Sequence, residues 1–199
     1  PLGLNRAQFD ADPRQTAAVA TQFNTRKTAQ QEQIGATWRH RFADLGALNE
    51  SAVTAYFGQR SVTQWQSIPV LTQRNPTPPP NTDRHPGGVI DFDRDYQGLD
   101  GRLIWRWTLD GDRSAQFVAG AALERSTEDR RGYENFLGDP LAPTALGVTG
   151  NQRRDEKNTV KTTDVYAQGE LEFVKDWVAT LGVRSGRVRF EAEDHYVSG

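Results

Sequence analysis

Residues 96–128 alternate between apolar and polar positions with a period of two. Leu99, Gly101, Leu103, Trp105, Trp107 and Leu109 form one row, and Asp100, Arg102, Ile104, Arg106 and Thr108 form the other. After Asp110-Gly111-Asp112-Arg113 the row Ala115, Phe117, Ala119, Ala121, Leu123 faces Gln116, Val118, Gly120, Ala122, Glu124. Period-two alternation on both sides of a Gly-containing turn predicts a β-hairpin. The same unit recurs. Residues 28–42 set Ile34, Ala36 and Trp38 against Gln33, Thr37 and Arg39, and 51–62 set Val53, Ala55 and Phe57 against Thr54, Tyr56 and Arg60. A last hairpin covers 159–174, turns at Lys175-Asp176 and returns over 177–197. Its apolar row is Val165, Ala167, Gly169, Leu171, Phe173, then Trp177, Ala179, Leu181, Val183.

The connections alternate in length. Residues 43–50 and the two hairpin turns are short, whereas 67–94, with PTPPPNTDRHPGG, and 129–158, with Gly132, Gly138, Pro140, Pro143, Gly147 and Gly150, read as long loops. Residues 1–25 read as a loop leading into the first strand, with a short helix over 7–23 as the other option. Tight turns on one side and long loops on the other are the organisation of outer-membrane barrels. Phe42, Trp107, Phe173 and Trp177 all fall near short turns, where aromatic rings form an interfacial girdle. A spanning strand needs about 9–11 residues, so these longer patterns should project beyond the bilayer on the long-loop side. Past Gly186 the alternation changes phase, with Arg187 and Arg189 on the formerly apolar parity. A bulge at Gly186 and an exit from the membrane both account for this.

The fold expected is all-β: one antiparallel up-and-down meander of about six long strands over residues 1–199, a segment of a transmembrane β-barrel. A soluble β-sandwich is the competing architecture. It would bury the apolar rows between two sheets, yet those rows are rich in Ala and Gly, and sandwich strands average only about 5–6 residues.

Composition narrows the function. The chain has 199 residues, 36% of them hydrophobic, with a mean hydropathy of −0.73, which suits a barrel in which only alternate strand residues need be apolar. No run of about 18 apolar residues exists for a transmembrane helix. A net charge of −2 with dispersed basic residues argues against nucleic acid as a partner. Cysteine is absent, which excludes disulfides and thiolate metal sites. Methionine is absent too, and the opening PLGLNRAQF carries no signal peptide, so an excised piece of a longer protein is expected.

The last hairpin adds a likeness. Tyr166-Ala167-Gln168, Glu170, Trp177 and Leu181-Gly182-Val183-Arg184 within residues 162–190 resemble a hairpin of the TonB-dependent outer-membrane receptors, and LERSTEDRRGYENF is similar to a strand of those barrels passing into an extracellular loop. The resemblance covers about residues 31–190. It implies a place in the bacterial outer membrane, in a barrel of about twenty-two strands closed around a plug, importing a scarce nutrient such as a ferric siderophore with energy from TonB. Membrane lipid, the plug and TonB are the implied partners. The sequence itself shows no plug domain and no TonB-contact segment, and it has too few strands to close such a barrel.

Candidate sites are few. Asp91, Asp93 and Asp95 in DFDRDY resemble the start of a calcium loop, but Tyr96 and Arg102 stand where glycine and glutamate are needed. His40, His85 and His195 have no metal-ligand spacing. Arg39, Arg102, Arg106, Glu124, Glu170, Glu172 and Arg184 belong to the polar row, where a water-filled lumen tolerates charge. Arg130, Arg131 and Tyr133 in DRRGY, with Arg84 and His85 in DRHPGG, are the candidates for gripping an anionic small molecule. No nucleophile elbow or phosphate loop is present, so no enzymatic activity and no cofactor are expected. The first and last strands would be open edges prone to edge-to-edge association. The alternative function is a soluble or cell-surface β-domain that binds a ligand through its long loops. A glycan-active enzyme would need a pair of carboxylates across a cleft, which the sequence does not show.

Overall fold

In the computed structural model the described residues are 4–80, 85–111 and 113–195. The chain begins with two short helices, α1 (Arg6–Ala11) and α2 (Ala18–Gln22), followed by β1 (Arg26–Arg41) and β2 (Leu48–Trp65). A helical turn, α3 (Val70–Gln73), precedes β3 (Val89–Thr108) and β4 (Ser114–Tyr133). A small hairpin, β5 (Phe136–Asp139) and β6 (Ala142–Leu146), comes before β7 (Gln152–Val174) and β8 (Trp177–Asp194). The six long strands form one antiparallel sheet in the order β1-β2-β3-β4-β7-β8, and β5 pairs only with β6. The sheet is an open up-and-down meander.

Each long strand has the expected alternation, but the strands run further than the pattern suggested. β4 continues through Tyr133, β3 starts at Val89 and β7 starts at Gln152, so parts of the two segments read as long loops are strand. Along most of those extensions both faces carry polar residues, and the apolar alternation that marks a half-buried strand is missing. The lead-in segment likewise contains α1 and α2, the first closed by a capping box between Asn5 and Gln8. The register of β7 against β8 is unbroken through Asp164–Gly186, so there is no bulge at Gly186.

The apolar rows share one face, and that face stays uncovered. Leu99, Leu103, Phe117, Leu123, Leu171 and Leu181 are all exposed, and no second sheet lies against them among the described residues. This overturns the sandwich version. Trp38, Trp107, Phe173 and Trp177 sit at the short-turn end of the same face and are exposed as well.

The apolar face has a sharp upper limit. Its last apolar residues are Ile34 on β1, Phe57 on β2, Leu99 on β3, Leu123 on β4, Val165 on β7 and Val183 on β8. In the register Ile34 faces Phe57 and Leu99 faces Leu123, whereas Phe57 faces Gln97, Leu123 faces Thr163 and Val165 faces Ser185. The limit therefore drops two residues at three of the five strand junctions. That slip is about 1.2 residues per strand; with ~3.3 Å per residue and ~4.8 Å between strands, the strands tilt about 40° from the normal to this line. Beyond it the same face is polar: Glu32, Gln59, Gln97, Arg125, Lys161 and Arg187. The phase change after Gly186 is this boundary. The apolar stretches 99–107, 115–123 and 165–173 span about 20 Å measured along that normal, near the ~25 Å band of barrels with side chains included.

The polar face is interlocked by tyrosines lying over glycines of the next strand. A Cβ on Gly98 would meet the Tyr56 ring at 2.4 Å, one on Gly58 would meet Tyr96 at 2.4 Å, and one on Gly120 would meet Tyr166 at 2.5 Å. Only glycine leaves room for these rings to lie flat.

The boundary makes a depth-dependent prediction. Ala119→Arg, in the apolar stretch of β4, should cost about 2–4 kcal/mol of barrel stability, and Thr127→Arg, four rows higher on the same face, about 0–1 kcal/mol. Equilibrium unfolding in urea from lipid vesicles measures both; equal costs would contradict the boundary.

Candidate functional site

The polar face above the boundary holds a charged furrow of about 600 Å³, lined among others by Arg94, Glu128, Arg130, Arg154, Glu156 and Phe190. Alternation places these side chains together. Arg94 on β3, Glu128 and Arg130 on β4, and Arg154 and Glu156 on β7 share one parity across the paired register. Arg94 Nε donates to Glu128 Oε2 at 2.9 Å, and its Nη2 donates to the same oxygen. Arg130 Nη1 lies 3.7 Å from Glu128 Oε1, so one nearly buried carboxylate serves two arginines. Arg154 forks onto Glu156, its Nη2 donating to Oε2 at 2.6 Å. The Arg154 hydrogen bonds, aided by Asn158 and the Arg130 charge, hold the Glu156 carboxyl below its ordinary range against the opposing effect of burial.

Below this furrow lies a tyrosine layer. Tyr56 Oη donates to Glu124 Oε1 at 2.9 Å, Tyr166 Oη donates to Asp100 Oδ2 at 3.1 Å, and Tyr96 Oη donates to Gln33 Oε1 at 3.0 Å while accepting from Gln31 Nε2 at 3.1 Å. Arg184 forks onto Asp164 at 2.7 and 3.2 Å. Arg106 Nε donates to Gln116 at 3.0 Å, so this polar row is bonded across strands.

The residues singled out from sequence separate. Arg130 faces the furrow. Arg131, its neighbour, is on the opposite face, 3.9 Å from Asp91. Successive strand residues point to opposite sides, so the pair cannot grip one anion together. Tyr133 ends β4, beside a register shift between Gly132 and Tyr133. Arg84 lies outside the described residues. His85 accepts from the Gly87 amide at 3.1 Å through Nδ1, and burial, followed by the charge of Arg153, lowers its pKa from the ordinary value. Asp91 and Asp93 accept from Thr63 and Ser61 at 2.9 and 2.7 Å across the β2–β3 ladder, and no metal-ligating group of three occurs among the described residues. Sequence reasoning missed Arg94, Glu128, Arg154 and Glu156. Their signal was polar parity continued into segments read as loops.

Over the furrow's end the long connections form a small core of their own. Gln73 Nε2 donates to Asn135 Oδ1 at 2.6 Å, and the Asn135 amide donates back to Gln73 Oε1 at 3.1 Å. Asn135 Nδ2 donates to the Gln66 and Ile68 carbonyls at 2.7 and 3.1 Å. Both side chains are fully buried beside Phe136 and Glu134, the latter accepting from Asn151 Nδ2 at 3.0 Å with Arg74 at 3.6 Å.

Long tilted strands, an apolar band, a polar inner face and folded long connections on one side describe an outer-membrane wall. The match to known families agrees: the TonB dependent receptor-like, beta-barrel family covers residues 2–199. The chain belongs to the TonB-dependent receptor β-barrel family. Its place is the bacterial outer membrane, with the apolar face toward lipid and the furrow toward the lumen. The tilt of about 40° falls within the 35–45° of such barrels. The family consists of transporters and receptors and is not an enzyme family, and its members work with a plug domain and TonB.

Two outcomes follow from the loop core of this receptor barrel. Asn135→Ala should remove the Oδ1 acceptor of Gln73 Nε2 and the Nδ2 donor to the Gln66 carbonyl and cost about 1–3 kcal/mol locally, seen as faster hydrogen exchange in 66–74 and 134–151 with the strands unchanged. His85 favours its neutral form when folded. Acidification from roughly pH 7.5 to roughly 5.5, through the ordinary histidine value, should therefore loosen this connection, because the unfolded segment takes up the proton first. His85→Asn should exchange at pH-independent rates once the intrinsic chemistry is corrected for.

Proposed function

We propose that this barrel wall belongs to an importer of a scarce anionic nutrient complex, with a ferric siderophore as the cargo class. We infer that the cargo meets the furrow of Arg94, Arg130 and Arg154. The supporting observation is that furrow: three guanidinium groups from three adjacent strands, balanced by Glu128 and Glu156 and bordered by Phe190. Guanidinium forks suit carboxylate and hydroxamate or catecholate oxygens, and an aromatic border suits a planar chelate. His85 and Tyr133 would contribute from the long-loop side, and Arg131 has no part in this reading.

Both edges of the sheet are exposed along their whole length. Unpaired backbone is not tolerated in hydrocarbon. In this reading β1 and β8 continue into further barrel strands, and an isolated sheet would satisfy its edges by self-association.

The test is uptake of a radiolabelled ferric siderophore by a strain whose only receptor for it carries this chain. Arg94→Gln with Arg130→Gln should raise the half-saturating concentration about 10–100-fold, the value of one to two charged hydrogen bonds. Arg131→Gln should change it less than about twofold. Equal effects of the two variants, or none from the first, would reject the furrow as the cargo's contact.

A further inference from the structure

On β8 the row that faces the lumen changes character above the apolar boundary. Arg184 and Gly186 are followed by Val188, Phe190 and Ala192, and Asp194 closes the run. Alternation puts these three apolar side chains on the lumenal side, back to back with Arg187, Arg189 and Glu191 on the outside. In the register Phe190 faces Val160, itself set between Asn158 and Thr162 on the same row of β7. The strip from 188 to 192 is about 13 Å long, at ~3.3 Å per residue. Val188 and Phe190 are 66% and 63% exposed, whereas Ala52, Val62 and Ile104, apolar residues of the same face, are buried. A further strand paired to β8 would lie beside the strip and leave its face open, because side chains stand out of the plane of a sheet.

The strip belongs to the furrow that holds the arginines. Val160, Phe190 and Ala192 line the same space of about 600 Å³ as Arg94, Arg130 and Arg154. Through the ladder Ala192 shares a row with Asn158, Glu128 and Arg94. Arg94 is thus three strands from Ala192, about 14 Å at ~4.8 Å per strand. One wall of the furrow is cationic and hydrogen-bonding, and the other is a narrow apolar track. An occupant matched to both walls is amphiphilic. We propose that the cargo carries an acyl arm. Its anionic chelating head meets the guanidinium groups, and the arm leaves the head beside Ala192 and runs past Phe190 and Val160 to Val188. The shape of the track favours a chain over a second ring, since it is narrow and extends along one strand. The gain is the apolar surface that arm and strip remove from water together. The inference rests on the furrow being the cargo's contact and adds to that reading the class of cargo.

Uptake of radiolabelled iron is measured in a strain whose only receptor for the chelate is the full-length protein. Two ferric dihydroxamates with the same citrate head serve as ligands, one bearing a medium-length saturated acyl arm and one with that arm cut back to acetyl. Every variant is compared with the parent for the same ligand, at receptor levels matched by immunoblot. Val188→Ser with Phe190→Ser should raise the half-saturating concentration of the acylated chelate about tenfold and that of the acetylated one less than about twofold, a loss near that of one buried apolar side chain. Phe190→Leu, which keeps an apolar surface, should stay within about twofold of the parent for both ligands. Arg94→Gln with Arg130→Gln should weaken both chelates by the same factor. Val188→Thr alone should show the same selectivity in smaller measure if the double serine variant does not reach the membrane. Equal loss of both chelates in the serine variant would overturn the acyl arm and assign the strip to the head or to the plug. Loss of neither would overturn it too, and in both cases the furrow reading stands as long as the arginine variant weakens uptake. An arginine variant that weakens neither chelate would reject the furrow reading and this inference with it. Absence of saturable uptake of both chelates by the parent would also overturn it.

Discussion

Hydrocarbon offers a strand no water, so every backbone N–H and C=O that crosses it must find a partner on a neighbouring strand. Between neighbouring strands the sheet obeys this along the whole apolar band, and only the outer edges of β1 and β8 are open. Register shifts occur only between Leu48 and Glu50, between Glu172 and Val174, and between Gly132 and Tyr133. The first two lie at the short-turn end and the third at the far end of β4. Within the band the ladders are continuous, which also locks each side chain to its face. A one-residue slip would carry Arg102, Glu124 and Glu170 into lipid, at about 2–4 kcal/mol for an arginine at the midplane and less for a carboxylate.

The lumenal face is built under a different constraint. Its groups are wet or half-buried, so polarity is tolerated but conformational freedom is not useful. Rings of Tyr56, Tyr96 and Tyr166 rest on glycines of the next strand and send their hydroxyls to acids or amides two strands away. Above them Arg94, Arg130 and Arg154 are held by Glu128 and Glu156. The ion pairs thus hold these guanidinium groups in fixed orientations. The connections are ordered by buried amide bonds, with Gln73 and Asn135 reaching across 62 positions.

The strands were legible because a face against lipid and a face against water impose a period of two. Their ends were not. From Asp91 to Asp95, and from Asp129 to Arg131, both faces meet water, and the sequence there has the composition of a loop. That loss of signal hid the furrow: Arg130 and Arg131 read in sequence as one basic pair, although adjacency in a strand means opposite faces. The change of phase at Gly186 was visible, and only the paired register decided between a bulge and a boundary. The tie between Gln73 and Asn135 joins two connections by uncharged amides, and nothing in either stretch announces it.

Which face meets lipid can be read directly, because the chain has no cysteine to remove. Single cysteines at Leu99, Leu103, Ala119 and Ala167, at their neighbours Asp100, Arg102, Gly120 and Gln168, and at Asp95, Thr127 and Thr159 would carry a fluorophore in the full receptor, reconstituted with lipids brominated in the acyl chains. The first set should be quenched strongly, and the second and third should be quenched weakly. Quenching without alternation between the first two sets, or as strong in the third set as in the first, would contradict the account.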